Sequence, residues 1–336
     1  MFRLLQEVNL LDLPSPPVHR GFVDPGFPIL IITGQTASGK ERLAVEIARR
    51  LGGEIISADS MKVYRGMDIG TAKASADQRQ AVPHHLLDIA DPGETFSAAR
   101  WVRLADTCIA EVHARSGVPI VSGGTPLYLK ALLEGLFEGP PADPSIRARL
   151  RADALARGTH ALHARLAEAD PAAAARIHPN DLRRIVRALE VWELTGSPIS
   201  KLQTQWGAKS FRHRPCLAAI RRRPEDLTRR IEQRVRRMLE AGLMEEVRRL
   251  LARPGGPARG PRQALGYAEV IDHLAGRLPE EELVPAIVAH TRQFARRQHT
   301  WLSRFPGVVW LEAAPDTLPE ALADRVVEIW RAVAMP

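Results

Sequence analysis

Apolar and polar positions along the chain follow two periods. Short apolar runs read as buried parallel strands at Ile29–Ile32, Glu54–Ala58, His84–Ile89, Val118–Ser122, Pro215–Ile220 and Val308–Leu311. Between these runs apolar residues recur at helical spacing. Leu43, Ala44, Ile47, Ala48 and Leu51 predict a helix that Gly52-Gly53 ends, and Ala98, Trp101, Val102, Ala105, Ile109 and Val112 predict another, stopped by Gly117. Further helices are expected over 126–133, 224–241, 280–304 and at the C-terminus. Strands that alternate with helices imply an α/β fold, a parallel sheet flanked by helices.

The texture changes at Gly139-Pro140-Pro141. From there to residue 211 the chain is Ala- and Arg-rich and shows almost no strand pattern. It reads as a mostly helical insertion, 139–211, in a core formed by 28–138 and 212–318. Inside it Leu182, Ile185, Val186, Leu189 and Trp192 make one apolar face, while Arg183, Arg184 and Arg187 project elsewhere. Residues 319–336 read as a C-terminal helix. Residues 1–27 read as a loosely ordered, proline-bearing leader that makes a poor signal peptide. Arg253 to Arg262, studded with Pro and Gly, reads as a mobile loop.

The first strand runs into Gly34-Gln35-Thr36-Ala37-Ser38-Gly39-Lys40, which matches G-x-x-x-x-G-K, and then into a helix. In such a loop backbone N–H groups and the helix N-terminus hold a di- or triphosphate, and the lysine adds a point charge. The sheet is therefore expected to be of the P-loop NTPase type. The next position of the pattern is a Ser or Thr whose hydroxyl binds magnesium; here it is Glu41. The strand ending at Ser122 runs into Gly123-Gly124-Thr125, where an NTPase keeps an Asp for its magnesium. Both departures argue against ATP or GTP hydrolysis. Asp59 falls at the C-terminal end of the second strand, the sheet edge where ligands bind, and is expected one strand over from the phosphate loop.

Charge adds a partner. The 336 residues carry a net charge of +8, and residues 141–260 hold 23 Arg and 2 Lys against 13 acidic residues, a local +12 beside a remainder of −4. A basic segment next to a near-neutral core points to a polyanion such as nucleic acid. No apolar run approaches the ~20 residues of a membrane helix. Cys108 and Cys216 lie far apart without metal-ligand spacing and read as buried or incidental thiols in a reducing cytoplasm. His84, His85, His290 and His299 also lack ligand spacing and read as structural or RNA-facing.

The ordered set GQTASGK (34–40), SADSMKVYRGMDIGTAK (57–73), HHLLDI (84–89), GGTPLYLKALLEGL (123–136), RIHPNDLRRIVRALEV (176–191), RIEQRV (230–235), LGY (265–267) and TRQFARRQHTW (291–301) resembles the bacterial tRNA dimethylallyltransferases, the tRNA isopentenyltransferase family, over residues 28–312. The resemblance implies transfer of the dimethylallyl group of dimethylallyl diphosphate to the exocyclic amine of the adenosine 3′ of the anticodon, position 37, in tRNAs reading codons that begin with U. It implies Mg2+ as cofactor, the tRNA anticodon stem-loop as partner, and a monomer.

The resemblance also assigns roles. Gly34, Gln35, Thr36, Ala37, Ser38, Gly39, Lys40 and Glu41 are the diphosphate- or nucleotide-binding positions. Arg234, in the Arg-Ile-x-x-Arg motif, adds charge as the carbon–oxygen bond breaks. Asp59 is the general base, because the amine is an extremely weak acid whose proton must leave as the new bond forms. Thr125 hydrogen-bonds near the reacting phosphate or base. Contacts to tRNA fall on Asp59, Ser60, Met61 and Lys62, on Thr125 and Arg147, on Arg183, Arg184, Ile185, Val186 and Arg187, and on Arg262, Gln263, Ala264, Leu265, Gly266 and Tyr267. The adenine is expected to flip out of its stack into a channel. Two rival readings share these residues: a P-loop small-molecule or nucleotide kinase, and a non-catalytic tRNA-binding protein with a decayed phosphate loop. Glu41 and the missing Asp after Val121 weigh against the first. Glu41 lends the second some support, because a carboxylate there adds negative charge beside a diphosphate.

Overall fold

A computed structural model of the protein describes residues 27–137, 139–203 and 211–334. The leader expected at 1–27 therefore lies outside the described residues except for Phe27, as do 204–210 of the insertion and 335–336 of the last helix. Among the described residues six strands form one sheet: β1 (Pro28–Gly34), β2 (Gly53–Ser57), β3 (His84–His85), β4 (Val118–Ser122), β5 (Arg214–Arg222) and β6 (Val309–Ala313). Their order is β3-β2-β4-β1-β5-β6, and every neighbouring pair is parallel.

Successive side chains of a strand point to opposite faces, so β1 feeds both layers. Ile29 and Ile31 pack with Trp101 and Tyr128 on one side, and Leu30 and Ile32 pack with Leu43, Ile47 and Trp330 on the other. β3 is shorter than its apolar run predicts. Leu86 and Asp88 take positive φ (61° and 58°), which ends the extended backbone after His85. Leu86 is still buried, so the apolar pattern there marks core rather than strand.

The helices Leu243–Leu251 and Tyr267–Leu274 escape a sequence reading, and the expected loop at 253–262 closes with a short helix, Arg259–Arg262. The first of them carries Glu246, 2 % exposed, into the core. Its carboxylate accepts the backbone N–H groups of Asp68, Ile69 and Gly70 at 2.9, 2.8 and 3.2 Å and the Tyr267 hydroxyl at 2.6 Å. This single side chain pins the loop that follows Asp59. Hydrogen bonds to a charged acceptor contribute about 2 kcal/mol, so Glu246→Gln is expected to destabilise the fold by roughly that much. A urea midpoint unchanged from the parent would contradict it.

The insertion is helical, as expected: Pro144–Arg157, Thr159–Ala169, Pro171–Ala174, Leu182–Thr195 and Ile199–Leu202. It builds a core of its own around Leu150, Leu166, Ile185, Val186 and Leu189. Two expectations change here. Ile185 and Val186, read as tRNA contacts, are 0 % and 3 % exposed, and their side chains are spent on this core. Trp192, placed on the apolar face, is instead 36 % exposed.

Candidate active site

The phosphate loop is shaped by backbone that few residues tolerate. Gly34 has φ +140°, and a Cβ there would stand 2.8 Å from the Ile220 carbonyl of β5. Two arginines tie down loop carbonyls: Arg230 Nε donates to Ala37 O at 2.9 Å and Arg222 Nε to Ser38 O at 2.9 Å. The C=O and N–H of a trans peptide point opposite ways, so the Ser38–Gly39 peptide turns its N–H away from Arg222. Ser38 Oγ is buried and has no hydrogen-bond partner among the described residues.

The helix Lys40–Leu51 starts at this loop and presents Lys40 and Glu41. Burial is the main cause that lowers the Lys40 ammonium to about 8; Glu41 opposes it, Lys62 and Arg234 reinforce it, and Asp59 opposes it weakly. Glu41 does not point idly outward. Its Oε1 lies 3.1 Å from Lys62 Nζ, and Ser122 Oγ donates to its Oε2 at 3.5 Å. Burial works against the Glu41 charge, but Lys62 and Lys40 outweigh it and hold the carboxyl below its usual value. Arg234 donates to Thr36 Oγ1 at 3.3 Å and to Thr71 O at 3.4 Å. Burial lowers its pKa against the pull of Asp59 and Glu41, yet a guanidinium stays charged.

Lys40 gives a pH prediction with a definite sign. Only the protonated ammonium attracts a diphosphate, and that form is lost as pH rises through about 8. Affinity for inorganic pyrophosphate is expected to fall as pH is raised from 7 to 9, and Lys40→Met to bind more weakly with a flatter profile. Calorimetric titration across that range checks it; an affinity flat to pH 10 would contradict it.

The second junction sits beside the first. β4 lies between β1 and β2, so Asp59 is two strands from the phosphate loop rather than one. Gly124 fills the gap, since a Cβ there would meet Gln298 Nε2 at 2.4 Å. Gln298, 2 % exposed and given no role by the sequence motif that contains it, spans both junctions. It accepts the Thr36 N–H at 2.7 Å and donates to Gly124 O at 2.7 Å. Thr125 occupies the N-cap of the helix Pro126–Glu134 but makes no side-chain cap. Its hydroxyl accepts the Ser60 N–H at 3.0 Å, which ties it to the Asp59 turn. Asp59 caps that turn with Oδ1, accepting from Met61 N at 2.8 Å and Lys62 N at 3.3 Å. No hydrogen bond to its Oδ2 is seen among the described residues.

Two cavities meet over these side chains. A polar one of about 530 Å³ is lined by Lys40, Glu41, Lys62, Arg230 and Arg237. A more apolar one of about 320 Å³ is lined by Ile231, Met238, Leu265, Tyr267, Ile287 and Thr125. Thr36, Asp59, Thr71, Arg234, Phe294 and Gln298 line both. The structure thus brings together Lys40, Asp59, Thr125 and Arg234, with Ser60, Met61 and Gln263 to Tyr267 on the apolar side. The Tyr267 hydroxyl donates to Glu246 at 2.6 Å, and the residue lines the apolar cavity. Arg262 is exposed and lines neither cavity.

The expected cationic face of the insertion divides in two. Arg147 and Arg187 are ion-paired to the fully buried Glu190, at 2.7 Å and 2.6 Å. Arg183 and Arg184 are exposed, Arg184 leaning on Asp181 at 3.3 Å. Cys216 is a buried free thiol and Cys108 a partly buried one, and burial raises both to about 11. Among the described residues no helix is long and apolar enough to cross a membrane, and no group of three or more His, Cys, Asp or Glu side chains is placed to hold a metal ion.

Residues 62–305 match the family model described as IPP transferase. The chain is 51% identical over 300 residues to a tRNA dimethylallyltransferase of Anaeromyxobacter dehalogenans, covering 89% of this chain and 98% of that protein. It is also similar to the crystal structure of the full-length tRNA isopentenylpyrophosphate transferase from Bacillus halodurans, at 36% identity and TM-score 0.65, covering 92% and 98% of the two chains. A eukaryotic dimethylallyltransferase solved acting on tRNA matches at 26% identity and TM-score 0.72, over 92% of this chain and 77% of that one.

Proposed function

The chain belongs to the IPP transferase family, the tRNA dimethylallyltransferases, and from that premise we propose how its two cavities divide the reaction. It transfers a dimethylallyl group to adenosine 37 of tRNA. The donor is dimethylallyl diphosphate, whose diphosphate sits in the polar cavity against the loop N–H groups, Lys40 and Arg234. The adenine flips from the anticodon loop into the apolar cavity, where bases of a single-stranded loop are the easiest to extract. The prenyl carbon then lies where the cavities join. The observation that carries this reading is that shared wall, which sets Asp59 and Arg234 on one opening.

At that opening the amine nitrogen attacks the prenyl carbon as its bond to the diphosphate oxygen breaks. The amine proton passes to Asp59, and charge developing on the leaving diphosphate is met by Lys40, Arg234 and the loop N–H groups. Thr125 holds the Asp59 turn in place through Ser60. The attacking group is the amine, so no water-activating residue is needed.

Mg2+ fits this site on different terms from an NTPase. The hydroxyl that would hold it is absent, and Glu41 offers a carboxylate at the same helix position. Magnesium is held by one or two carboxylates, phosphate oxygens and retained waters, so Glu41 with the diphosphate supplies a suitable donor set. When bound, the ion neutralises charge on the diphosphate. We place the enzyme in a reducing cytoplasm, where its two free thiols are stable, acting as a monomer on the anticodon stem-loop.

Labelled dimethylallyl diphosphate mixed with unmodified tRNA carrying adenine 37 is expected to place label on that base. Bound tRNA without label would sink the reading. For the RNA face, Arg184→Ala is expected to weaken tRNA binding and reduce its salt slope by about one. An affinity and slope equal to the parent would remove Arg184 from the interface.

A further inference from the structure

A bare carboxylate at Glu41 would repel an incoming diphosphate, but this carboxylate already has a cation. Lys62 Nζ stands 3.1 Å from Glu41 Oε1, with the lysine side chain 5 % exposed and the glutamate 37 % exposed. The ammonium is delivered by fixed backbone: Lys62 follows the turn that Asp59 caps, and its N–H donates to Asp59 Oδ1 at 3.3 Å. The pair lines the polar cavity beside Lys40, Asp59 and Arg234. The cations that act on the Glu41 carboxylate are Lys62 first, then Lys40 and Arg234.

An ammonium and a divalent cation compete for one carboxylate. With Lys62 in place, a metal ion on Glu41 would set like charges a few ångströms apart in partly desolvated surroundings, where repulsion is strong. A diphosphate removes the conflict, because its oxygens accept the lysine N–H donors and add negative charge. We infer that Lys62 is a tethered counter-ion that closes Glu41 to divalent cations until a diphosphate arrives, so that Glu41 becomes a direct metal ligand only in the diphosphate complex. The inference rests on the polar cavity being the diphosphate site. It assigns Lys62 to the loading of that site rather than to tRNA contact.

Direct binding of Mn2+ to the full chain, followed by electron paramagnetic resonance without diphosphate, tests it. The parent is expected to hold Mn2+ poorly, Lys62→Met and Lys62→Gln to bind one Mn2+ on the order of 10-fold tighter or more, and Glu41→Gln to erase that gain in the Lys62→Met background. Circular dichroism identifies a variant that has lost its fold, and the second lysine variant then carries the test. Mn2+ held by the parent as tightly as by Lys62→Met would overturn the inference, as would a folded lysine variant that gains nothing or a gain that survives Glu41→Gln. Calorimetry of inorganic pyrophosphate in EDTA separates the two claims. Parent protein that fails to bind it, or binds it independently of Lys40, refutes the diphosphate site itself. Pyrophosphate bound through Lys40 with no Mn2+ gain refutes the lysine gate alone.

Discussion

Asp59→Asn is expected to slow single-turnover prenyl transfer by on the order of 100-fold, about 2.7 kcal/mol of transition-state stabilisation, with tRNA affinity nearly intact. The reasoning starts from the turn. Oδ1 is committed to the Met61 and Lys62 N–H groups, and asparagine keeps that acceptor. What asparagine removes is the basic oxygen at the junction of the two cavities, so the turn survives while the proton acceptor is lost. Asp59→Ala removes both and should cost at least as much, with some loss of order around Ser60 and Thr125. Quench-flow rates beside filter-binding affinities decide the matter. A large loss of affinity with an unchanged transfer rate would make Asp59 a positioning residue and not a base.

Arg222→Met is expected to cost about 3–5 kcal/mol of stability, the range for breaking a buried pair by removing one partner. Arg222 is fully buried and shared among Asp226 Oδ2 at 3.1 Å, Ser38 O at 2.9 Å, Ala314 O at 2.7 Å and Thr317 O at 3.0 Å. Methionine fills the volume but leaves a buried carboxylate and three carbonyls without their donor. Because Ser38 belongs to the phosphate loop, diphosphate affinity should fall along with the denaturation midpoint. An unfolding free energy within about 1 kcal/mol of the parent would show that water or Arg229, 3.9 Å from Asp226, takes over.

The sheet was legible because periodicity is a local signal. Six apolar runs and the helical spacing between them are written in consecutive residues, and the loop Gly34–Lys40 declares its geometry through two glycines and a lysine. The run at 84–89 misled for the same reason: burial of Leu86 looks like a strand until its positive φ is seen. What stayed hidden were polar groups whose partners are far along the chain. Gln298 meets Thr36 across a separation of 262 residues, and Glu246 meets Asp68 across 178. Charge counting had a similar blind spot. It sees the arginines of the insertion but not the buried Glu190 that claims two of them, Arg147 and Arg187. Order in the sheet was equally unavailable, which is why β4 came to lie between Asp59 and the phosphate loop.

The most direct measurement is a crystal structure of the protein with pyrophosphate and an anticodon stem-loop carrying adenosine 37. The expected result has the pyrophosphate on Lys40 and the loop N–H groups, and adenine 37 flipped into the cavity of Leu265 and Tyr267. Its exocyclic amine should lie within about 3 Å of Asp59, on the side facing Arg234. A base that remains stacked, or that enters the protein away from Asp59 while pyrophosphate fills the polar cavity, would contradict the division of the site.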